Sequence, residues 1–407
     1  MSTDQAAASP EPREPAPPGP ARGRLDGLTA RIADALCTAR APYQAAVIRV
    51  GFAALFAAFL LREWPHRRVL YGDHSPLSWE MTLTLVREDH NFTVLSWWGG
   101  HLWFELVYHL TIATALAVML GWRTRTMTVL FMVGVLSLEN RNTFVGDGGD
   151  NVIRIMVIYL VFTRCAQVWS LDARRARSRT TAFAGDRVGV ALWAALGMAL
   201  MWAFGPQAAG WPLVFWVLWA VHGIWYAANR WFPAHEARAV LDSCAAMLHN
   251  TTMLVIAAQV CLIYATAGWY KIQGSRWQEG SALYYALHLD HFTPWPWLAG
   301  LLAANTLMAL ALSYITVMVQ VAFPFSLANR KIKNILLVAM MLEHAGIAII
   351  LGIPLLSLAM IVCDAVFLPT SFLLWLGAHC TRATRRTTGR GPGKPLPQPA
   401  IGAVSGS

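Results

Sequence analysis

The sequence predicts an all-α fold: a polytopic integral membrane helix bundle of about ten transmembrane helices with both termini cytoplasmic. Three observations predict it. Hydrophobic residues make up 56% of the 407 positions and charged residues only 13%, where soluble proteins carry about 25% charged residues. The mean hydropathy is +0.45, and several apolar runs reach the roughly 20 residues that a bilayer crossing needs. Arginine and lysine also concentrate in alternate loops, which orients such a chain.

The elements follow in order. Residues 1–43 are rich in Ala, Pro and Arg without an apolar core region, and they read as a disordered cytoplasmic tail rather than a cleaved signal. The membrane domain is expected over 44–378, and residues 379–407 read as a second disordered basic tail. Candidate spans lie at 44–61, 101–121, 126–140, 151–169, 187–205, 210–227, 252–271, 296–323, 334–351 and 353–377. The third is short enough for a partial span, and Gly352-Ile353-Pro354 separates the last two. With the N-terminus inside, the cytoplasmic segments hold Arg123 and Arg125, then Arg174, Arg175, Arg177 and Arg179, then Arg230 and Arg238. Arg330, Lys331, Lys333, Arg382, Arg385 and Arg386 continue the pattern. The basic loop 62-REWPHRR-68 is its one exception. The net charge of +10 is therefore read as arginine facing anionic lipid, with no nucleic-acid partner. The expected partner is the lipid bilayer, and the expected location a multi-pass position in the cell membrane.

Six cysteines are scattered without metal or disulfide spacing, and they read as small apolar fillers. His288 and His291 share helical spacing in an aromatic stretch, but no further ligand is evident, so no metal is expected.

Ionisable residues inside the apolar runs mark candidate sites. Glu105 and His109 lie four apart on one helix face, Glu343 and His344 fall mid-helix, and Asp364 lies in the last run. The turn-rich loop 140-NRNTFVGDGGDN-151 holds Asp147 and Asp150 just before Arg154. There Asp150 is placed to cap the next helix, and Asp147 to pair with Arg154. Helix-to-helix glue is the plainer role for all of these groups. Lys271 closes the run 252-TMLVIAAQVCLIYATAGWY-270. A lone lysine there usually snorkels to the interface; held in the bundle instead, it can serve as a general base.

Three segments carry a family resemblance. The stretch 267-AGWYKIQGSRWQEGSAL-283, which includes Trp277, resembles the signature of the horizontally transferred transmembrane domain family. The segments 140-NRNTFVGDGGDNVIRI-155 and 343-EHAGIAIILGIPLLSLAMI-361 resemble that family's loop before the fourth helix and its late His-bearing helix. Vitamin K-dependent gamma-carboxylase and the bacterial membrane protein that helps mature the sporulation-delaying toxin belong to the family. The resemblance implies that Lys271 is a catalytic base toward a reduced naphthoquinone, menaquinol or vitamin K hydroquinone. It implies His344 as a second catalytic residue. Glu105, His109, Trp277, Glu343, Asp147, Asp150 and Arg154 would then line the quinol or substrate cavity. The chain departs from the carboxylases at Asp147-Gly148-Gly149-Asp150-Asn151, where they carry Asn-Asn-His-Ser-Tyr. It also lacks an obvious equivalent of their large lumenal region.

Three readings stay open. One is a quinol-dependent membrane enzyme. A second is a non-catalytic accessory membrane protein for maturation or export of a secreted peptide, working with that peptide or with a partner membrane protein. A transporter ranks last, because no repeat relates the two halves.

Overall fold

The computed structural model describes residues 36–178, 186–205 and 210–388. The expected tails lie outside the described residues over 1–35 and 389–407, and so does Arg179. Among the described residues every regular element is helical. The principal helices are α1 (Pro42–Glu63), α2 (His101–Leu120), α3 (Thr124–Glu139), α4 (Gly148–Val161), α5 (Arg187–Phe204) and α6 (Gly210–Trp231). They continue with α7 (Glu236–Gln273), α8 (Thr306–Phe325), α9 (Arg330–Ile350), α10 (Pro354–Asp364) and α11 (Thr370–Thr388).

Seven helical stretches among the described residues are long and apolar enough to cross a membrane: Pro42–Leu70, α2, α5, α6, α7, Thr306–Ala328 and α9. A bent pair, Pro354–Phe367 with Thr370–Cys380, turns through 113° and supplies an eighth if it counts as one span. The protein is thus an all-helical membrane protein with seven or eight candidate spans. Two expected spans are shorter than the bilayer core: α3 has 16 residues and α4 has 14, about 24 and 21 Å against about 30 Å. The expected span 296–323 is two helices. Pro296–Ala303 ends where Asn305 caps α8, its side chain accepting from the Met308 N–H at 3.1 Å. Gly352, at φ 66°, and Pro354 at the helix start separate α9 from α10, as the sequence suggested.

The core forms where α1, α2, α3, α4 and α10 pack together. Phe52, Phe56, Phe131 and Tyr108 are fully buried there, and the Phe56 and Phe131 rings meet edge to face at 5.9 Å. A second group joins α7 to α8, α8 to α9, and α9 to α10. The α5–α6 hairpin exposes most of its surface, with only Gly197, Phe215, Ala228 and Asn229 buried in it, and it meets the core through Phe215 against Phe92 at 4.7 Å and Phe204 against Trp97 at 5.5 Å. Trp193 and Trp219 stack at 4.1 Å and exchange indole N–H bonds to each other's carbonyls at 3.0 and 2.9 Å, which clasps the hairpin shut.

One buried cation ties the core's end together. Arg49 of α1 is fully buried and donates to the carbonyls of Cys165, Val118, Met119 and Trp169 at 3.2, 2.5, 3.0 and 2.7 Å. The Val118 and Met119 carbonyls belong to the frayed end of α2, where the last turn of a helix lacks internal donors. Gly121 closes that turn at φ 69°. A Cβ there would meet the Ser170 side chain at 2.3 Å and Arg49 Nη1 at 2.7 Å, so glycine is required twice over.

Candidate functional site

Tyr264, Gly268 and Lys271 follow one another at four and three residues, so they share one face of α7. Tyr264 and Gly268 are buried, and that face looks into the α8–α9–α10 group. Gly268 matters for distance. A Cβ on it would lie 2.7 Å from the Val321 side chain, so its absence lets α7 approach α8 closely. One turn on, the Lys271 ammonium donates to Gln320 Oε1 at 2.8 Å. The Gln320 amide, itself buried, donates in turn to Glu343 Oε1 at 2.5 Å. The half-buried Trp277 ring lies 5.2 Å from the ammonium, a cation–π contact. Lys271 is turned into the bundle, not laid out along the interface. Around it Trp269, Tyr270, Trp295 and Trp297 stay exposed, the composition of an interfacial aromatic belt.

Beside this chain lies a second polar group. His344 is buried and packs on the Tyr264 ring at 5.9 Å between centroids. The Tyr264 hydroxyl donates to Asp364 Oδ1 at 2.9 Å. Both ring nitrogens of His344 and Oδ2 of Asp364 are buried without a hydrogen-bond partner. Such orphans are expensive in a bundle interior. The structure therefore brings Lys271, Trp277, Glu343 and His344 together and adds Gln320, Tyr264 and Asp364. Gln320 was missed; its only sequence signal is a lone amide in an apolar run.

Gly268→Ala should push α7 from α8, at about 1–3 kcal/mol for overpacking. The expected outcome is a lowered melting temperature in detergent, with the Lys271–Gln320 bond lost in a structure of the variant.

The remaining expected site residues sit elsewhere. Glu105 and His109 do share a face, but in the first turns of α2, and they do not join the Lys271 site. Glu105 pairs with Arg67 at 2.9 Å, and His109 accepts from the Trp64 indole at 3.1 Å. Nearby Arg68 binds Asp73 at 2.7 Å, and its guanidinium holds the Asp73 carboxyl well below the usual carboxylate range. The basic segment 62–68 that broke the charge pattern is not a loop but a helical continuation of α1, and its Arg67 and Arg68 are the counterions of Glu105 and Asp73.

Asp147, not Asp150, is the N-cap of α4, and neither aspartate pairs with Arg154. Asp147 caps α4, accepting from the Gly149 and Asp150 N–H groups at 2.5 and 3.3 Å, while Asp150 reaches back to the Asp147 N–H at 2.6 Å. This is a capping box. Arg154 does not pair with Asp147; it donates to Asn151 at 2.7 Å and Asn140 at 3.5 Å. Asn140, Arg141 and Asn142 bind the carbonyls of Phe92, Leu77 and Leu70 at 2.8, 3.0 and 2.9 Å. The loop is a brace for the segment between α1 and α2, away from Lys271. Asp147→Ala should cost about 1 kcal/mol through the lost cap, read as a small fall in melting temperature.

A cavity of about 1360 Å³ lies between α2, α3 and the α5–α6 hairpin. It does not border Lys271, Glu343 or His344. No protein-family model, curated protein or solved structure matches the chain.

Proposed function

We propose that the chain is a member of the horizontally transferred transmembrane domain family and acts as a quinol-dependent membrane enzyme with Lys271 as its base. One observation carries this reading: Lys271 faces inward onto Gln320 and Glu343, beside buried groups that lack partners. A dihydroxynaphthalene offers two hydroxyls that both donate and accept. The orphan nitrogens of His344 and Oδ2 of Asp364 are suited to such groups. Menaquinol or vitamin K hydroquinone would supply the reducing equivalents for reaction with oxygen. Lys271, as the neutral amine that still donates one N–H to Gln320, takes the hydroxyl proton at Nζ. Glu343, hydrogen-bonded through the Gln320 amide, balances the charge that Lys271 then carries. Trp277 keeps the ammonium from the water outside.

In this reading the protein lies in the cell membrane with both termini cytoplasmic. The short α3 and α4 bring the crossings toward ten by spanning with their connecting loops.

The alternative is a non-catalytic accessory membrane protein that serves maturation or export of a secreted peptide or works with a partner membrane protein. The observation that favours it is that the Lys271 ammonium already has a hydrogen-bond acceptor and an aromatic face. Purified protein in nanodiscs, given reduced menaquinone and oxygen, separates the two. Quinone epoxide, with water as the other product, from wild type and none from Lys271→Ala supports the enzyme. Epoxide from neither leaves the accessory role.

A further inference from the structure

The cavity between α2, α3 and the hairpin is polar at one end only. Trp97 and Trp103 line it near the start of α2, and Arg123 and Arg125 line it where α3 begins. Between these ends run the 20 residues of α2, about 30 Å of helix, with apolar side chains such as Leu106, Leu110 and Leu130 facing the space. That length matches both leaflets of a bilayer's hydrocarbon core, so the chains of one lipid headed at the Arg125 end fill about half of it. The volume of about 1360 Å³ exceeds the roughly 300–1,000 Å³ of small-molecule sites.

The basic end carries an unbalanced charge. Among the described residues three arginines, Arg123, Arg125 and Arg175, line it against two carboxylates, Asp172 and Asp186, an excess of one positive charge. Arg123 is held by Asp186 in a two-pronged pair at 2.7 and 2.5 Å, and Arg175 lies 4.0 Å from Asp172. Asp172 also caps the start of α3, accepting from the Arg123 and Thr124 N–H groups at 3.0 and 2.7 Å. The charge left over is that of Arg125. Its guanidinium lies 3.8 Å over the Trp225 ring, and among the described residues no hydrogen bond or ion pair engages its side chain. Beyond Trp225, Arg164 and Arg238 share the single carboxylate of Asp242, which adds a further positive charge.

We propose that this cavity is a binding site for one membrane lipid with an anionic phosphate head group. Its chains lie along α2 between the core and the hairpin, and its phosphate lies on Arg125. Charge complementarity selects the head group, because arginine and phosphate form charge-assisted hydrogen bonds. The apolar length selects a lipid over a free phosphate. The site is separate from Lys271 and does not depend on the reading of that residue.

Delipidated full-length protein in detergent, titrated with phosphatidylglycerol or phosphatidylcholine and read by native mass spectrometry, tests it. Wild type should bind phosphatidylglycerol about tenfold tighter than phosphatidylcholine, because both offer the phosphate but the choline ammonium of the second is repelled by the surplus arginine charge; tenfold corresponds to about 1.4 kcal/mol. Arg125→Gln should erase that preference and Arg125→Lys should keep most of it. Leu110→Trp, placed on an exposed cavity-lining position, should weaken both lipids. Glycerol phosphate should not compete, and Lys271→Ala should bind like wild type. Equal affinity for the two lipids in wild type, an unchanged preference in Arg125→Gln, or displacement by glycerol phosphate would each overturn the proposal.

Discussion

Lys271→Arg should lose quinol oxidation as completely as Lys271→Ala, by about 10²–10⁴-fold, the usual contribution of a positioned general base. The two variants fail for different reasons. Alanine removes the donor to Gln320 and leaves the amide oxygen and the Glu343 carboxylate short of a cation. Arginine keeps positive charge and N–H donors within reach of Gln320, but it does not give up a proton in a protein. A purely structural Lys271 predicts the opposite order, with arginine near wild type and alanine damaged. Epoxide formation and melting temperature, measured together on both variants, separate these outcomes. Full epoxide yield from Lys271→Arg would remove the base from the mechanism. Glu343→Gln should lower the rate with a melting temperature close to that of wild type, because an amide still accepts from Gln320 but no longer balances the charge on Lys271.

Arg49→Met should be the most destabilising single change outside the polar site. Its four carbonyl partners lie on the end of α2 and on the segment after α4, and those of Val118 and Cys165 are buried away from water when the guanidinium is removed. Breaking a buried charged network typically costs about 3–5 kcal/mol. The expected result is a loss of well over 5 °C in melting temperature. Faster amide exchange should appear at Gly121–Arg123, where the freed turn opens first. Gly121→Ala should resemble it, because the added methyl strikes both Ser170 and Arg49. A melting temperature for Arg49→Met within 1–2 °C of wild type would show that the carbonyls are satisfied some other way.

How much of this was legible depends on which property carried it. Hydropathy reports burial in lipid, and it located α1, α2, α5, α6, α7 and α9 to within a few residues, except that α7 begins at Glu236, well before the expected 252. It is blind to caps. Ala304 and Asn305 were therefore read through as span, although an asparagine in an apolar run is what stops one helix and starts another. Helical spacing put Glu105 and His109 on one face correctly. It could not say that this face sits at the helix end beside Arg67, because the partner lies 38 residues earlier, on the helical continuation of α1. The inward turn of Lys271 had a faint trace in Tyr264 and Gly268 at the same spacing. In a run that is apolar all round, no periodicity marks the inner side. The cap was assigned to Asp150 instead of Asp147 because either aspartate can cap; only the backbone decides where the helix starts.

The Trp193–Trp219 clasp has a consequence for how the protein responds to its surroundings. A hairpin closed on itself, and joined to the core mainly at its ends through Phe92–Phe215 and Arg123–Asp186, takes part of its tilt from the bilayer. Its first helix has 18 residues, about 27 Å, a little less than an average hydrocarbon core of about 30 Å. In a thicker membrane it stands upright and stretches its ends; in a thinner one it leans. The wall it forms opposite α2 leans with it, so the shape of the space behind it varies with membrane thickness.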